Sequence, residues 1–509
     1  MSSKFILLFK SEVTMILSDL SEVDIVTLQS WMGSNICSSL DLVETYFARI
    51  AAHDSGSSNN GWGVNSVLEM NAGARTIAVA RDMERKKGLI RGPLHGIPIL
   101  VKDNIETGDG MITSAGSLAL LDNRPDRDAV LIRRLRDAGA IILGKTNLSE
   151  WANFRSPWST SGWSSRGGLT RNPYMLTRSA SGSSSGSAAA VAANLCTVAV
   201  GTETDGSILS PAAACGLVGL KPGLGEISTV GVVPLAHSQD TAGPMARTVQ
   251  DCALLYQVLR KDVACNRDPV IFSDTNRLKG TRVGVLRNQF ELHRDAIPIF
   301  EKALDALQDY GVTLVEGIRL PDMAELGEAE LEVLLYEFKY GINHYLKGLR
   351  SKDVPHSLEA LIDSNSKNSG SVMPWFGQEY LELAAERGGL DEERYLDAKR
   401  LCKRLAWTEG LDYMLNKNHL AACVAPSNNP SGLIDLLTGD HHTGGSSTLA
   451  AVAGTPSLTV PTGHIQGLPI GATFFSGPGT ESLLLCYGYA LETVLAARIA
   501  PLFKMDMGE

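Results

Sequence analysis

Two serine-rich loops flank one short apolar segment in the middle of the chain, and this arrangement constrains the fold more than any other feature. The first loop lies at the start of the segment SGSSSGSAAAVAANL, residues 181–195. The second loop lies in the segment GTETDGSILSPAAACG, residues 201–216. Another apolar segment, HGIPILVKDN at 95–104, carries Lys102 near its end. Each loop offers a serine, and another predicted strand ends in a lysine. This pattern indicates a serine–lysine hydrolase site.

The composition is typical of a large globular protein without a basic face. The chain has 509 residues, of which 44% are hydrophobic and 20% charged, enough to bury a sizeable core. Its net charge of −10 argues against electrostatic capture of nucleic acid or of an anionic membrane. We therefore expect a small-molecule or peptide partner rather than a nucleic acid. We also expect a monomer or homodimer.

The cysteines and the N-terminus predict a cytoplasmic protein. The eight cysteines form no CxxC pair and no His/Cys metal spacing, so we expect a reducing compartment, no metal and no cofactor. The apolar run at 5–9 is shorter than the core of a secretory signal, and residues 1–20 are predicted to be a flexible extension. No stretch approaches the ~18 uncharged apolar residues of a membrane span.

The order of the predicted elements favours an α/β fold. Amphipathic segments alternate with short, continuously apolar ones, as in a mixed sheet that helices cover on both faces. The predicted elements are a helix after an N-cap at Ser39, a helix at 72–87, a strand at 97–101, a helix at 129–138, a strand at 140–143, a helix at 188–193 and a strand at 197–200.

The same pattern predicts a single domain over 21–509. Its sheet core is expected at about 90–260 and 421–500. The charge-dense region 261–420 is expected to be a helical covering, interrupted by strand-like sequence at 282–286.

The second loop predicts an oxyanion site. Ser207 would lie between a strand end and a helix for which Ser210 is the predicted N-cap. Gly206 allows the backbone to approach a ligand closely. The backbone N–H groups of Thr204, Asp205, Gly206 and Ser207 could then converge on an oxyanion, although an ordinary turn with an exposed serine fits the residues equally well.

Other groups compete for the catalytic roles. GSSSG matches a nucleophile elbow centred on Ser184, but the residues before it are polar and interrupted by proline, so the required strand is missing. Lys145 and Lys221 are alternative bases, and both are predicted to lie in structural turns.

The chain resembles the amidase signature family. The resemblance lies in GSSSGSAAAVAANL followed by GTETDGSILSPAAACGLVGLKP, together with LHGIPILVKDNI, AGAIILGKTNLSEWA, SQDTAGPMARTVQD and AGTPSLTVPTG. It implies the amidase-signature fold with a large mixed sheet, a nucleophile at Ser207, a cis serine at Ser183 and a base at Lys102. The two serines are 24 residues apart, which is the family's spacing.

The resemblance also predicts the substrate. Leu209 stands where many members carry arginine, and the TDGSI variant is most similar to the bacterial peptide amidases. This implies an acyl-enzyme hydrolase of neutral primary amides, C-terminal peptide amides among them. Two alternatives stay open: an aryl-amide, ester or carbamate hydrolase of the same family, and the glutamine-hydrolysing component of an amidotransferase. A non-enzymatic scaffold is disfavoured because no triad residue is absent.

Supporting roles follow for several other residues. Asp205 is expected to turn away from the oxyanion site and bond the loop backbone. Ser184 is expected to support the first loop, and residues 159–164 to line the pocket. Four aromatic residues of the helical covering are candidates for apolar pocket surface: Tyr336, Phe338, Trp375 and Phe376.

Overall fold

The computed structural model describes five segments of the chain, residues 20–55, 62–260, 271–287, 290–441 and 444–507. The predicted N-terminal extension lies outside the described residues apart from Leu20.

One mixed sheet of eleven strands forms the centre of the described structure, with the strand order β1-β3-β2-β8-β10-β9-β14-β15-β13-β11-β12. Four short strands, β4 to β7, form two separate pairs. The strands are β1 Val67–Met70, β2 Pro98–Lys102, β3 Ile141–Thr146, β4 Trp163–Ser164, β5 Gly168–Leu169, β6 Arg171–Asn172, β7 Met175–Ser179, β8 Val198–Glu203, β9 Val218–Lys221, β10 Thr241–Ala246, β11 Arg282–Val285, β12 Thr313–Val315, β13 Ala422–Pro426, β14 Ser457–Ile465 and β15 Leu468–Phe475.

Helices surround this sheet, so the predicted α/β class and the large mixed sheet are confirmed. The α-helices are α1 Ile25–Gly33, α2 Ser39–Arg49, α3 Ala74–Lys86, α4 Val130–Asp137, α5 Ser185–Ala192, α6 Leu209–Ala214, α7 Val249–Leu259, α8 Ile297–Asp309, α9 Met323–Lys347, α10 Leu358–Lys367, α11 Ser369–Val372, α12 Glu379–Ala385, α13 Glu393–Cys402, α14 Asp412–Asn418, α15 Thr448–Val452 and α16 Glu481–Leu495. None of the described helices is long and apolar enough to cross a membrane.

The register of the central strands brings the two sequence motifs together. Strand β2 is entirely buried and runs parallel to β8, with Val101 opposite Val200. Both strands therefore end at the same edge of the sheet, where β2 delivers Lys102 and β8 leads into the loop 204–207. This pairing places the lysine beside the second serine loop although the two are distant in sequence.

Helix α5 follows the first serine loop directly and is buried along its whole length. Its sequence, SGSAAAVA, contains only small side chains and one valine, which lets the helix pack closely against the sheet. The carbonyl of Asn147 accepts a hydrogen bond from the N–H of Gly186 at 3.0 Å. The first loop is thus held between a buried helix and the sheet.

Four local predictions differ from the structure. The N-cap of α2 is Ser38 rather than Ser39, because Ser38 and Asp41 form a reciprocal capping box. Helix α6 begins at Leu209, so Ser210 lies inside its first turn instead of capping it. Strand β8 continues to Glu203, beyond the predicted end at residue 200. Strand β11 coincides with the strand-like sequence expected at 282–286, whereas β12, which pairs with it in parallel at the edge of the sheet, lies in sequence expected to be helical.

We expect Gly186→Ala to destabilise the protein, because a methyl group there would lie 2.4 Å from the carbonyl oxygen of Ser66 and 2.5 Å from that of Asn147. Both neighbours are backbone atoms that cannot rotate away, and overpacking of this kind costs about 1–3 kcal/mol. The midpoint of thermal unfolding should fall.

Gly327→Ala is the matched control. Gly327 lies inside α9 with no atom within 4 Å of the added methyl group, so alanine should leave the midpoint unchanged or raise it. Equal midpoints for the two variants would show that the packing around Gly186 is looser than described.

Candidate active site

A buried lysine contacts the first serine loop directly. The Lys102 Nζ atom lies 2.8 Å from Ser183 Oγ, and neither residue is accessible to solvent. The same amine donates to Thr202 Oγ1 at 2.9 Å and to the Thr202 carbonyl at 3.2 Å. The peptide bond between Gly182 and Ser183 is cis.

The geometry around Lys102 fits a neutral amine. A neutral amine has two N–H donors and one lone pair. The two acceptors on Thr202 match the donors, which leaves the lone pair for the hydroxyl of Ser183. Burial lowers the pKa of Lys102 from 10.5 to about 7, although Glu203 and Asp240 oppose this shift with their negative charge. A large fraction of Lys102 is therefore uncharged at neutral pH.

Ser207 lies in a short irregular segment between β8 and α6, as predicted. Gly206 has φ +76°, a conformation that glycine adopts readily. Within the described chain, the N–H groups of Asp205, Gly206 and Ser207 donate to no other protein group. Three consecutive free N–H groups around a serine can stabilise an oxyanion.

Ser183 and Ser207 line the same cavity, which has a volume of about 430 Å³. Its wall consists mainly of hydroxyl, amide and glycine groups, and no described lysine or arginine belongs to it. The other lining residues are Ala152, Asn153, Ser161, Ser179, Ser181, Gly182, Asp205, Gly206, Ser210, Ala214, Asn428, Asn429, Ser431, Gly432, Leu433, Asp440, His441, Gly444, Gly445, Ser447 and Thr448.

Two residues of β8 were missed by the sequence analysis. Thr202 holds the lysine amine through two oxygens, and it was missed because the strand was predicted to end before it. Glu203 accepts hydrogen bonds from the N–H groups of Ile208 at 2.7 Å and Leu209 at 3.0 Å, which braces the turn after Ser207. Alternation of side chains along an extended β8 could have indicated Thr202, whereas the contacts of Glu203 depend on the turn that follows.

The structure gives the competing lysines other partners. Lys145 lies in β3, not in a turn, and donates to the Ile105 carbonyl and to Thr113 Oγ1. Lys221 lies in β9, again not in a turn, and donates to the Thr455 carbonyl. Both are buried and away from the cavity wall.

Ser184 serves as a structural link rather than an exposed nucleophile. Its hydroxyl donates to the Thr202 carbonyl at 3.0 Å and accepts from the Thr202 N–H at 3.2 Å. It is fully buried and does not line the cavity, as expected for a residue that supports the first loop.

Some of the remaining predictions about the pocket agree with the structure and others do not. Asp205 lines the cavity and accepts from the hydroxyl of Thr448 at 2.6 Å, so its partner is a side chain rather than the predicted loop backbone. From residues 159–164, Ser161 reaches the cavity. The hypothesis of aromatic pocket surface from the helical covering is wrong. None of its four candidates lines the cavity: Tyr336, Phe338, Trp375 and Phe376.

Potential metal ligands are dispersed over the same five described segments. Within these segments, no three or more His, Cys, Asp and Glu side chains form a group that could hold a metal ion.

Comparison with protein families identifies a match over most of the chain. The family described as Amidase matches residues 41–485. The chain is also similar to a putative amidase from Schizosaccharomyces pombe, with 35% identity over 521 residues, which cover 95% of this chain and 87% of that protein.

Solved structures and further relatives agree with this match. The X-ray structure of a peptide amidase from Stenotrophomonas maltophilia is similar with a TM-score of 0.88 and 44% identity, and the alignment covers 96% of this chain and 99% of that one. A component of the glutamyl-tRNA(Gln) amidotransferase from Roseiflexus castenholzii is 33% identical over 507 residues, 94% of this chain and 97% of that protein.

We expect an active-site fluorophosphonate to label Ser207, because it is the cavity serine surrounded by free N–H groups. Ser207→Ala should lose the label and leave the thermal midpoint close to that of the parent. Peptide mapping by mass spectrometry locates the modified residue. A label on Ser184, which also persists in Ser207→Ala, would contradict the assignment.

The pKa of Lys102 near 7 predicts an acidic limb in the pH dependence of kcat/KM on an amide substrate. A base must be uncharged to accept a proton, so kcat/KM should fall about tenfold per unit below pH 7 and level off above it. Lys102→Met should lower kcat by several orders of magnitude.

Lys145→Met provides the control for this experiment. Burial also lowers the pKa of Lys145, to about 8, but its amine contacts no serine. The folded fraction of this variant should keep both the activity per molecule and the pH midpoint. If the midpoint disappears in Lys145→Met and survives in Lys102→Met, the base has been assigned to the wrong lysine.

Proposed function

Because this chain belongs to the amidase family, we propose that it hydrolyses neutral primary carboxamides, among them the C-terminal amides of peptides. Like the family, it is a hydrolase that acts on amides. The contact of 2.8 Å between the buried Lys102 amine and Ser183 Oγ is the observation that carries the catalytic part of this proposal.

The first half of the reaction forms an acyl-enzyme. Neutral Lys102 takes the proton of the Ser183 hydroxyl, and Ser183 takes the proton of Ser207. The Ser207 oxygen attacks the amide carbonyl carbon, and the free N–H groups of the loop receive the negative oxygen. The carbon–nitrogen bond breaks when the proton returns through Ser183 to the leaving nitrogen, which departs as ammonia.

The second half releases the acid. Water adds to the acyl carbon while the same relay through Ser183 and Lys102 accepts its proton. The bond to Ser207 then breaks, the carboxylic acid leaves and the serine regains its proton. Each step uses only groups of this chain, the substrate and one water molecule.

The charge distribution of the cavity supports a neutral substrate. The described lining contains no lysine or arginine that could pair with a carboxylate of the substrate, and it contains the carboxyl groups of Asp205 and Asp440. Leu209, which stands where many family members carry arginine, is buried and away from the lining. A free α-carboxylate would therefore meet no lysine or arginine among the described lining residues.

The similarity to a peptide amidase supports the assignment to C-terminal peptide amides. The polar lining supports it too, because the hydroxyl and amide groups around Ser183 and Ser207 can bond the backbone of a bound peptide. The alternatives differ in what leaves the acyl carbon: an aryl amine from an aryl amide, an alcohol from an ester, an alcohol or amine from a carbamate, or an ammonia that a partner consumes.

We expect ammonia release from an N-blocked dipeptide amide to be at least tenfold faster, as kcat/KM, than from free glutamine. The reason is that the described lining offers the glutamine α-carboxylate no lysine or arginine and contains two carboxyl groups, those of Asp205 and Asp440. An anilide and a carbamate of matched size complete the series, and Ser207→Ala gives the background.

Two outcomes would redirect the assignment. Glutamine hydrolysis equal to that of the dipeptide amide would favour the amidotransferase alternative. Faster cleavage of the anilide or the carbamate would move the enzyme to another substrate class of the same family, with the serine and lysine roles unchanged.

A further inference from the structure

Three large apolar side chains are exposed beside the polar catalytic cavity. Leu433 lines the cavity and is still 58% exposed. Leu437, on the same segment, is 78% exposed, and Trp158 is 58% exposed. We call these three residues the apolar rim. Exposed apolar groups on segments that border a cavity can contribute to a binding surface.

The rim belongs to two segments that are bonded to each other. The Thr160 hydroxyl donates to the Asp435 carbonyl at 2.6 Å, and the Asp440 N–H donates to the Ser159 carbonyl at 3.3 Å. A methyl group on Gly439 would lie 2.6 Å from the carbonyl oxygen of Trp158, so the two backbones are in close contact there. Segments 156–161 and 433–441 therefore form one wall.

This wall presents polar groups to the cavity and apolar groups beside them. Ser161 and Asp440 line the cavity, and the Ser161 N–H donates to the Asp440 carboxylate at 3.0 Å. The hydroxyl of Thr438 and the N–H of Leu437 both donate to Asp435, and these bonds hold the pKa of that carboxyl below its usual range. Two carboxyl groups thus lie in the wall that carries the rim.

We propose that the apolar rim binds the residue that precedes the C-terminal residue of a peptide amide. We call it the upstream residue, and the rim makes the enzyme favour an apolar side chain at that position. The cavity holds the amide and the adjoining backbone, whereas the next residue of a peptide extends past Leu433 toward Trp158. Contact with these side chains removes apolar surface from water. An acidic upstream residue meets the cavity-lining carboxyl group of Asp440 instead. This inference rests on the proposed function.

The test compares three substrates that share one reacting group. N-acetyl-alaninamide has no upstream residue, N-acetyl-leucyl-alaninamide has an apolar one, and N-acetyl-glutamyl-alaninamide has an acidic one. In the parent protein, kcat/KM should be highest for the leucyl substrate and lowest for the glutamyl substrate. Ammonia release at several concentrations separates KM from kcat.

Trp158→Ala should lower the ratio of kcat/KM for the leucyl substrate to that for N-acetyl-alaninamide about tenfold, mainly through a higher KM. Trp158→Phe should restore most of the ratio. Trp375→Ala is the matched control, because Trp375 is 44% exposed and does not line the cavity, so the ratio should stay unchanged. Leu437→Ala tests the rim independently if Trp158→Ala fails to fold.

An unchanged ratio in folded Trp158→Ala and Leu437→Ala would overturn the inference. An equal loss on all three substrates would overturn it as well, because it would assign Trp158 to the support of the wall. The proposed function fails separately, when the parent releases no ammonia from any of the three amides.

Discussion

The burial of an amine under the catalytic cavity is the constraint on which the site depends. An ammonium group with no solvent contact is unfavourable, so the sheet around Lys102 must either supply a charge or let the amine be neutral. The two oxygens of Thr202 provide hydrogen bonds without a formal charge. Parallel pairing of β2 with β8 sets this contact, and a shift of one residue would turn the lysine to the other face of the sheet.

The carboxyl groups nearby act against that neutrality, and the structure limits their effect. Glu203 and Asp240 both raise the pKa of Lys102. Burial in turn raises the pKa of Glu203, and it raises that of Asp240 to about 6. Each acid therefore carries less negative charge near neutral pH than an exposed acid would. Burial thus acts in the same direction on the lysine and on both acids, favouring the uncharged form of each, which is consistent with a lysine base that works near pH 7.

The sequence predicted the parts of this arrangement that local patterns encode. Continuous apolar runs indicated β2 and β8, and the glycine-flanked loops led to Ser183 and Ser207. The family resemblance then linked these serines to Lys102, and the geometry of the residues is compatible with that link. Asp440 could not be found in this way. It reaches the cavity through a loop bonded to Ser161, and such a long-range contact leaves no local signal.

The aromatic hypothesis failed because two of its candidates, Tyr336 and Phe338, are core residues. Tyr336 and Phe338 are two residues apart in α9, so they point to different sides of the helix, and each is buried in a separate hydrophobic cluster. The cavity itself is lined mainly by serine, glycine and asparagine, which can form hydrogen bonds with a polar ligand. The large apolar side chain in the described lining is Leu433, which is 58% exposed. Under the proposed function, the reacting amide would bind at Ser183 and Ser207 and the upstream side chain at the apolar rim, and the buried Lys102 amine belongs to neither surface.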